Sequence, residues 1–338
     1  MKKILLVFTG GTIGSSTVNG KINTSKDQRY KLLDCFKQSY SNHKAVSFKT
    51  IQPLQILSEN LFPSTWETLI KAIEKENPDQ YDGIIVTHGT DTLAFTSAAL
   101  SFYFNALKIP LLLVSSDHPL EHPQANGLTN FICAIEFIMQ IQKAGVFVPY
   151  KNPDAKTLVH IGSRLAASLQ LSGDFISVQS KAYLQFENNH FQVLNEINPA
   201  TLSSRHLKPL FSPRLLLIKP YPGLDYSHFV LDNIDVVIHD LYHSGTACSS
   251  LECGKNHSLL ELIKRCTKLD IPVYMTPSIK MPDAYISTHS LIEQGAKMVW
   301  NMSLESTYVK LLLAYGNFSD SSVINEFLLQ NIALEIID

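Results

Sequence analysis

Short apolar runs, each bounded by glycine, proline or polar residues, recur through the first half of the chain at Ile4–Phe8, Gly83–Thr87, Pro110–Val114 and Gly145–Val148. Runs this short with no polar alternation predict strands of a parallel sheet that is covered on both faces. Between them the pattern changes to a helical period. Thr65–Glu76 places Leu69, Ile70 and Ile73 on one face, Thr92–Phe104 is rich in alanine and leucine, and Leu128–Gln142 has a broad apolar face that includes Phe131, Ile135 and Ile138. From Lys151 to about Ser212 the rhythm weakens into shorter strand-like runs and several prolines. A second series then predicts strands at Arg214–Lys219, Val236–His239, Pro272–Met275 and Lys297–Trp300. Helices are expected with them at about Tyr226–Leu231, Ser258–Leu269, Thr288–Gln294, Leu304–Tyr315 and Ser321–Leu329.

Strand–helix alternation of this kind predicts an α/β fold built as two doubly wound domains. We expect a flavodoxin- or Rossmann-like N-terminal domain over residues 1–197, a linker over 198–213, and a smaller C-terminal α/β domain over 214–338. The length of 338 residues agrees with two domains, at roughly 150 residues each. No internal repeat of fixed period or low-complexity tract interrupts the pattern.

Composition narrows the classes. Hydrophobic residues at 45% and charged residues at 17% fit a globular chain and exclude a disordered one. Lysine plus arginine (28) nearly balances aspartate plus glutamate (30), so no basic field draws the protein to nucleic acid or anionic lipid. The aromatic residues are not interleaved with basic runs and read as core, not as base-stacking platforms. Five cysteines, odd in number and irregularly spaced, do not make a disulfide scaffold. The closest pair, Cys248 and Cys253, lacks a second pair to complete a zinc site. His239 and His243 flank a strand end without acidic or cysteine partners at ligand spacing, and read as structural. The start Met1-Lys2-Lys3 resembles a signal n-region, but the apolar run ends at Thr9-Gly10-Gly11, short of a typical h-region. Thr92–Leu107, the longest uncharged stretch, contains Thr, Ser and Asn and falls short of the ~18 apolar residues a membrane span needs. A soluble, cytoplasmic protein with no nucleic-acid or membrane partner is expected.

Ligands of open parallel sheets bind beyond the carboxyl ends of the strands. Three predicted strand ends carry chemistry-bearing residues: Thr9-Gly10-Gly11-Thr12-Ile13-Gly14, Thr87-His88-Gly89-Thr90-Asp91-Thr92, and Ser115-Ser116-Asp117-His118. The glycine spacing is not that of a dinucleotide loop, no lysine stands where a Walker loop needs one, and no nucleophile-elbow motif occurs. A hydroxyl on a glycine-rich turn beside a hydroxyl–carboxylate pair suits nucleophilic acyl transfer, with backbone amides holding the oxyanion. The residues alone equally allow Thr12 and Thr90 to be turn and N-cap residues.

Together the first two blocks resemble the paired signatures of the bacterial L-asparaginase family, and they stand in that family's order. The likeness covers most of the chain. Leu57-Ser58-Glu59-Asn60-Leu61 resembles the substrate-gripping turn before a helix containing a tryptophan (Trp66), and Pro110–Asn130 is similar to the third strand and its helix. Tyr221-Pro222-Gly223 and Tyr242–Gly245 resemble parts of the second domain. The resemblance implies hydrolysis of L-asparagine to L-aspartate and ammonia without metal or organic cofactor, in the cytoplasmic type I manner. It implies Thr12 as the nucleophile that forms an acyl-enzyme, with Thr90 and Asp91 as the second catalytic cluster. Asp91 would also hold the substrate's α-amino group and Ser58 its α-carboxylate. Gly11, Glu59, Gly89 and Ser116 would line the substrate site, and His88 would support the turn. A homodimer or homotetramer is implied as well.

The chain departs from the family pattern at several positions. Ala167 falls where the family carries the lysine of its Thr-Asp-Lys relay, and Lys156 and Lys181 are displaced from it. Lys21 falls where the lid loop normally supplies a tyrosine, and Tyr30 is too far along to replace it. Asn126 replaces a usual aspartate, and Thr246 a frequent asparagine. These departures leave three readings open: an asparaginase with a rearranged relay, an amidohydrolase for another small amide in which Lys21 serves as base, and an inactive amino-acid-binding relative.

Overall fold

The computed structural model describes residues 1–11, 13, 15–18, 21–24, 28–169, 171–197 and 205–337, with 15–18, 21–24 and 28–30 described by backbone alone. The chain separates into two compact units. One comprises Met1–Leu210 with Ile332–Leu334, and the other Phe211–Asn331 with Glu335–Asp338. Residues 332–334 were expected with the second domain and instead belong to the first unit. Part of the expected linker, 198–204, lies outside the described residues.

The first unit is built on an eight-stranded sheet. Its strand β1 (Lys2–Phe8), next to one edge, follows from the apolar run, since Ile4, Leu5, Leu6 and Val7 are fully buried. A two-stranded antiparallel ribbon, β2 (Ser15–Val18) and β3 (Lys21–Thr24), comes next, then helix α1 (Gln28–Ser39) and strand β4 (Val46–Ile51). After these come α2 (Pro63–Lys75), β5 (Gly83–Thr87), α3 (Leu93–Tyr103), β6 (Pro110–Val114), α4 (Gly127–Glu136) and β7 (Gly145–Lys151). Three further strands complete the sheet: β8 (Thr157–Ile161), β9 (Leu184–Glu187) and β10 (His190–Val193). The strand order is β10-β9-β8-β7-β6-β5-β1-β4.

Strands β4, β1, β5, β6 and β7 are parallel, whereas β8, β9 and β10 pair antiparallel. The antiparallel part lies in the region of weak rhythm. There β10 buries little of its length, so it carries none of the continuous apolar run that marks β5 and β6. Strand β4 escapes the apolar-run pattern for a related reason: as an edge strand it is half-buried and includes Ser47, Lys49 and Thr50. The helix expected over Leu128–Gln142 is regular only to Glu136 and continues as a π turn over Phe137–Ile141. One core layer joins α1, β4 and α4 through Phe36, Phe48 and Phe131, whose ring centroids lie 5.5–5.9 Å apart.

The second unit holds a four-stranded parallel sheet in sequence order, β11 (Leu215–Ile218), β12 (Val236–His239), β13 (Val273–Ser278) and β14 (Lys297–Trp300). Its helices are α5 (Leu259–Thr267), α6 (Ile286–Glu293), α7 (Leu304–Asn317) and α8 (Ser321–Leu329). The helix expected at Tyr226–Leu231 is a single 3-10 turn, Tyr226–His228, whose N-cap Asp225 accepts from the Ser227 amide. Near the end of the chain Lys310 is fully buried, with Nζ bonded to the carbonyls of Leu328 (3.2 Å) and Gln330 (2.5 Å) and to Glu335 Oε1 (2.5 Å).

Candidate active site

In the first sheet β1 lies between β4 and β5, so the chain leaves β1 for one neighbour and returns to the other. This reversal opens a crevice at the carboxyl ends of the strands, the place where a doubly wound sheet binds its ligand. Three loops meet there, following β1, β4 and β5.

Thr9 follows directly on β1, and its hydroxyl donates to the Thr87 carbonyl at the end of β5 (2.6 Å). The next residues are stapled to the loop after β4: Ile56 N donates to the Thr9 carbonyl (2.9 Å) and Gly11 N to the Ile56 carbonyl (3.1 Å). This approach needs glycine. At Gly10 a Cβ would lie 2.3 Å from the Ile56 carbonyl oxygen, and at Gly11 (φ +74°) 2.3 Å from the Gly89 amide nitrogen. Both backbones lie in the positive-φ range that side chains disfavour. At Gly89 a Cβ would lie 2.3 Å from Ser58 Oγ, so the three loops close on one another with no room for side chains at their contacts.

The polar groups brought together are Ser58, Thr90, Asp91 and Thr92. The buried Ser58 hydroxyl donates to Asp91 Oδ2 at 2.6 Å and accepts the Asp91 amide at 3.3 Å. Thr92 is the N-cap residue of α3, but its hydroxyl donates to the Ser58 carbonyl (3.0 Å) instead of capping the helix. Both signature loops are thereby tied to the Ser58 turn. Asp91 and Glu59 are exposed and Thr90 is half-buried, which leaves the Asp91 carboxylate open to a ligand. His88 is buried and donates from Nδ1 to the Gly89 carbonyl (2.8 Å). Burial lowers its pKa to about 4, outweighing the opposing pull of that carbonyl and of the Asp91 charge. The imidazole is therefore neutral at pH 7 and acts as a brace for the Gly89 peptide.

Ser116 takes another place. Its hydroxyl donates to the His118 carbonyl (2.5 Å) and accepts the Gly127 amide (3.1 Å), which engages it at the start of α4. Asn126 is similarly committed: its Nδ2 donates to the Lys151 carbonyl (2.8 Å), and it exchanges amide–side-chain bonds with Asp117, both at 3.0 Å. The buried hydroxyls of Thr87 and Ser115 have no partner among the described residues and make the floor beneath these loops polar.

Thr12 lies outside the described residues. Lys21 opens β3 opposite Val18, but its side chain and that of Tyr30 are likewise outside the described parts. Ala167 is half-buried in a segment where Ala166 N donates to the Ile176 carbonyl (3.0 Å) and Leu165 bridges Ser177. The turn just before it rests on α3, the helix that Thr90 and Asp91 lead into, through Ser97 Oγ and the Gly162 carbonyl (2.8 Å). Thr246 sits in the second unit with its Oγ1 2.9 Å from Ser244 Oγ. Among the described residues no group of three His, Cys, Asp or Glu side chains is arranged to hold a metal, and no helix is long and apolar enough to cross a membrane.

Reading the sequence overlooked Thr9, Ile56 and Thr92. Thr9 and Thr92 stand inside the two quoted motifs, and their hydroxyls were the available signal. Ile56 works through its backbone, which no side-chain pattern reveals.

A hydroxyl and a carboxylate held together beside a glycine-lined crevice suit recognition of a small amino acid. The family model described as asparaginase, N-terminal, matches residues 3–203. The chain belongs to the asparaginase family. A relative from Sulfolobus acidocaldarius, named as a subunit of glutamyl-tRNA(Gln) amidotransferase, is 28% identical over 356 aligned positions, spanning 99% of this chain and 75% of that protein. The L-asparaginase of Thermococcus kodakarensis is 27% identical over 352 positions, spanning 99% of both chains. The solved structure of that thermostable L-asparaginase superposes with a TM-score of 0.82 at 26% identity, covering 99% of each chain. The Vibrio cholerae L-asparaginase I structure, at 21% identity and a TM-score of 0.81 over 99% of each chain, shares the fold. The two-domain α/β architecture is thus that of the asparaginases, and the protein is an asparaginase-fold amidohydrolase.

Proposed function

We propose that this amidohydrolase cleaves the side-chain amide of L-asparagine, yielding L-aspartate and ammonia through an acyl-enzyme on Thr12. The observation that carries the reading is the 2.6 Å bond from Ser58 Oγ to Asp91 Oδ2, made to a carboxylate that is itself exposed. A substrate α-ammonium is the natural partner for the Asp91 carboxylate. When it takes that place, the Ser58 O–H is released to donate to the α-carboxylate. The amino-acid end is then fixed, and the side-chain amide extends toward the glycine-rich turn that bears Thr12. The Thr12 hydroxyl attacks the amide carbon, ammonia departs, and water releases aspartate from the ester. Thr90 and Asp91 manage the proton, and nearby backbone amides steady the oxyanion.

At the relay position Ala167 offers no base. Loss of a positioned base typically costs about 10²–10⁴-fold, so turnover below that of a complete relay is expected. A different amide substrate is the second reading. It is favoured by the glutamyl-tRNA(Gln) amidotransferase relative, whose likeness runs through 99% of this chain. We further propose the cytoplasmic type I branch, residence in the cytoplasm, and assembly as a homodimer or homotetramer.

Ammonia release from asparagine, compared between the wild type and Thr12→Ala, tests the reading. Release by the wild type and loss in the variant supports it. Cleavage of another amide that is lost in Thr12→Ala, with asparagine untouched, transfers the reading to that amide. Thermal stabilisation by asparagine without turnover in either protein leaves an amino-acid-binding protein. Ala167→Lys should raise turnover, and an unchanged rate would separate residue 167 from the relay.

A further inference from the structure

Two cysteines in the loop between β12 and α5 take no part in the site described above. Cys248 and Cys253 are both exposed, and they line one cavity of about 250 Å³ together with Tyr221, Tyr226, Tyr242 and His257. The loop is fixed at two points: Leu259 N donates to the Cys248 carbonyl (2.8 Å), and Gly254 N to the Leu251 carbonyl (3.1 Å) beside Cys253. The remaining cysteines are less accessible. Cys35 is half-buried, and burial pushes the Cys133 thiol well above its ordinary pKa and that of Cys266 up to about 11. The chain thus places two accessible thiols in one cavity, while burial disfavours thiolate chemistry at Cys133 and Cys266.

His257 adds a basic nitrogen to the cavity wall. Its Nδ1 donates to the Leu224 carbonyl (2.9 Å), which leaves Nε2 as the acceptor, 3.5 Å from Asn256 Nδ2. A zinc site would need a further ligand, and no set of three exists among the described residues. The pair therefore suits dithiol chemistry.

We propose that Cys248 and Cys253 form a redox-responsive dithiol, closed into an intramolecular disulfide by a low-molecular-weight disulfide such as glutathione disulfide. One thiolate attacks a glutathione sulfur, the glutathione S–S bond breaks, and one glutathione thiolate leaves. The second cysteine thiolate then attacks the protein sulfur of the mixed disulfide and expels the other glutathione. The two protein thiols lose two electrons, one glutathione disulfide becomes two glutathione molecules, and the thiol protons pass to them. The ring closed over residues 248–253 lies in the same connection between β12 and α5 that carries Tyr242–Gly245. His243, Ser244 and Gly245 line a second cavity of this unit, about 360 Å³, with Ser278 and Trp300 at the carboxyl ends of β13 and β14.

The test treats the full-length protein with excess glutathione disulfide and maps its thiols by peptide mass spectrometry, independently of any hydrolase activity. Expected is the loss of two of the five thiols, with a Cys248–Cys253 disulfide, no retained glutathione, and reversal by dithiothreitol. Cys248→Ser should hold a stable glutathione adduct at Cys253, and Cys253→Ser one at Cys248. Persistent glutathione on both cysteines of the wild type, a disulfide between two copies of the chain, or no loss of these thiols would each overturn the proposal.

Discussion

Replacing Gly11 by alanine puts a methyl group into the closest backbone approach of the crevice, and the structure allows its cost to be separated into two parts. The first is conformational: at φ +74° a side chain meets the left-handed penalty, about 1–2 kcal/mol. The second is steric, because the new Cβ would lie 2.3 Å from the Gly89 amide nitrogen and 2.6 Å from its Cα. Neither is the end of a flexible side chain. Gly89 cannot retreat freely, since it packs against Ser58, and Gly10 cannot, since it packs against Ile56. Overpacking of this kind costs about 1–3 kcal/mol. Gly173 supplies the control: its φ is +70° and nothing lies within 4 Å of an added Cβ, so Gly173→Ala meets the conformational penalty alone. The difference between the two variants therefore reports the collision. For a unit of this size it corresponds to roughly 2–12 °C in melting temperature, read by circular dichroism in the absence of ligand. If Gly11→Ala melts together with Gly173→Ala, loop convergence does not require glycine at position 11.

Further outcomes follow from other contacts. Ser58→Ala removes the hydroxyl that meets Asp91, and a bond to a charged group is worth about 1.5–3 kcal/mol. KM for the amide substrate should rise about 10- to 100-fold with a smaller change in kcat, and an unchanged KM would remove Ser58 from recognition. His88, His160 and His239 are held down to about 4 by burial. They are neutral when folded, while the unfolded chain binds their protons below about 6.5. Their contribution is complete above that pH and is lost as the pH falls toward 4, at about 1 kcal/mol per histidine by pH 5.5. A urea midpoint that stays flat between pH 7 and 5.5 contradicts this. Lys310→Met breaks the buried ion pair with Glu335 and should cost about 3–5 kcal/mol in chemical denaturation. The double variant Lys310→Met, Glu335→Leu should recover most of that loss, and a single variant of wild-type stability would refute the buried pair.

Much of the frame was determined by the sequence alone. Ile4–Phe8, Gly83–Thr87 and Pro110–Val114 had to be buried strands, because uninterrupted apolar runs of that length have no wet face to offer. Each is followed by glycine, hydroxyl or acidic residues, which places the crevice at the carboxyl ends of the strands. The motif around Thr90 and Asp91 carried the resemblance that the family match over residues 3–203 then established. Pattern reading was weakest at β4 and β8–β10, where edge position and antiparallel pairing dilute the apolar signal. It also proposed a helix at Tyr226–Leu231 where the chain makes one turn.

Which of the marked residues meet depends on contacts between distant parts of the chain. Ser58 lies 33 positions from Asp91 in the chain, yet its hydroxyl is 2.6 Å from that carboxylate. No local pattern encodes this contact, because it depends on β1 being inserted between β4 and β5 and on three glycines letting backbones touch. Ser116 carries the same hydroxyl in an equally suggestive position, but the His118 carbonyl and the Gly127 amide at the start of α4 claim its hydrogen bonds. A sequence lists groups capable of chemistry, whereas long-range pairing and the obligation to satisfy buried polar atoms determine which of them stay free to use it.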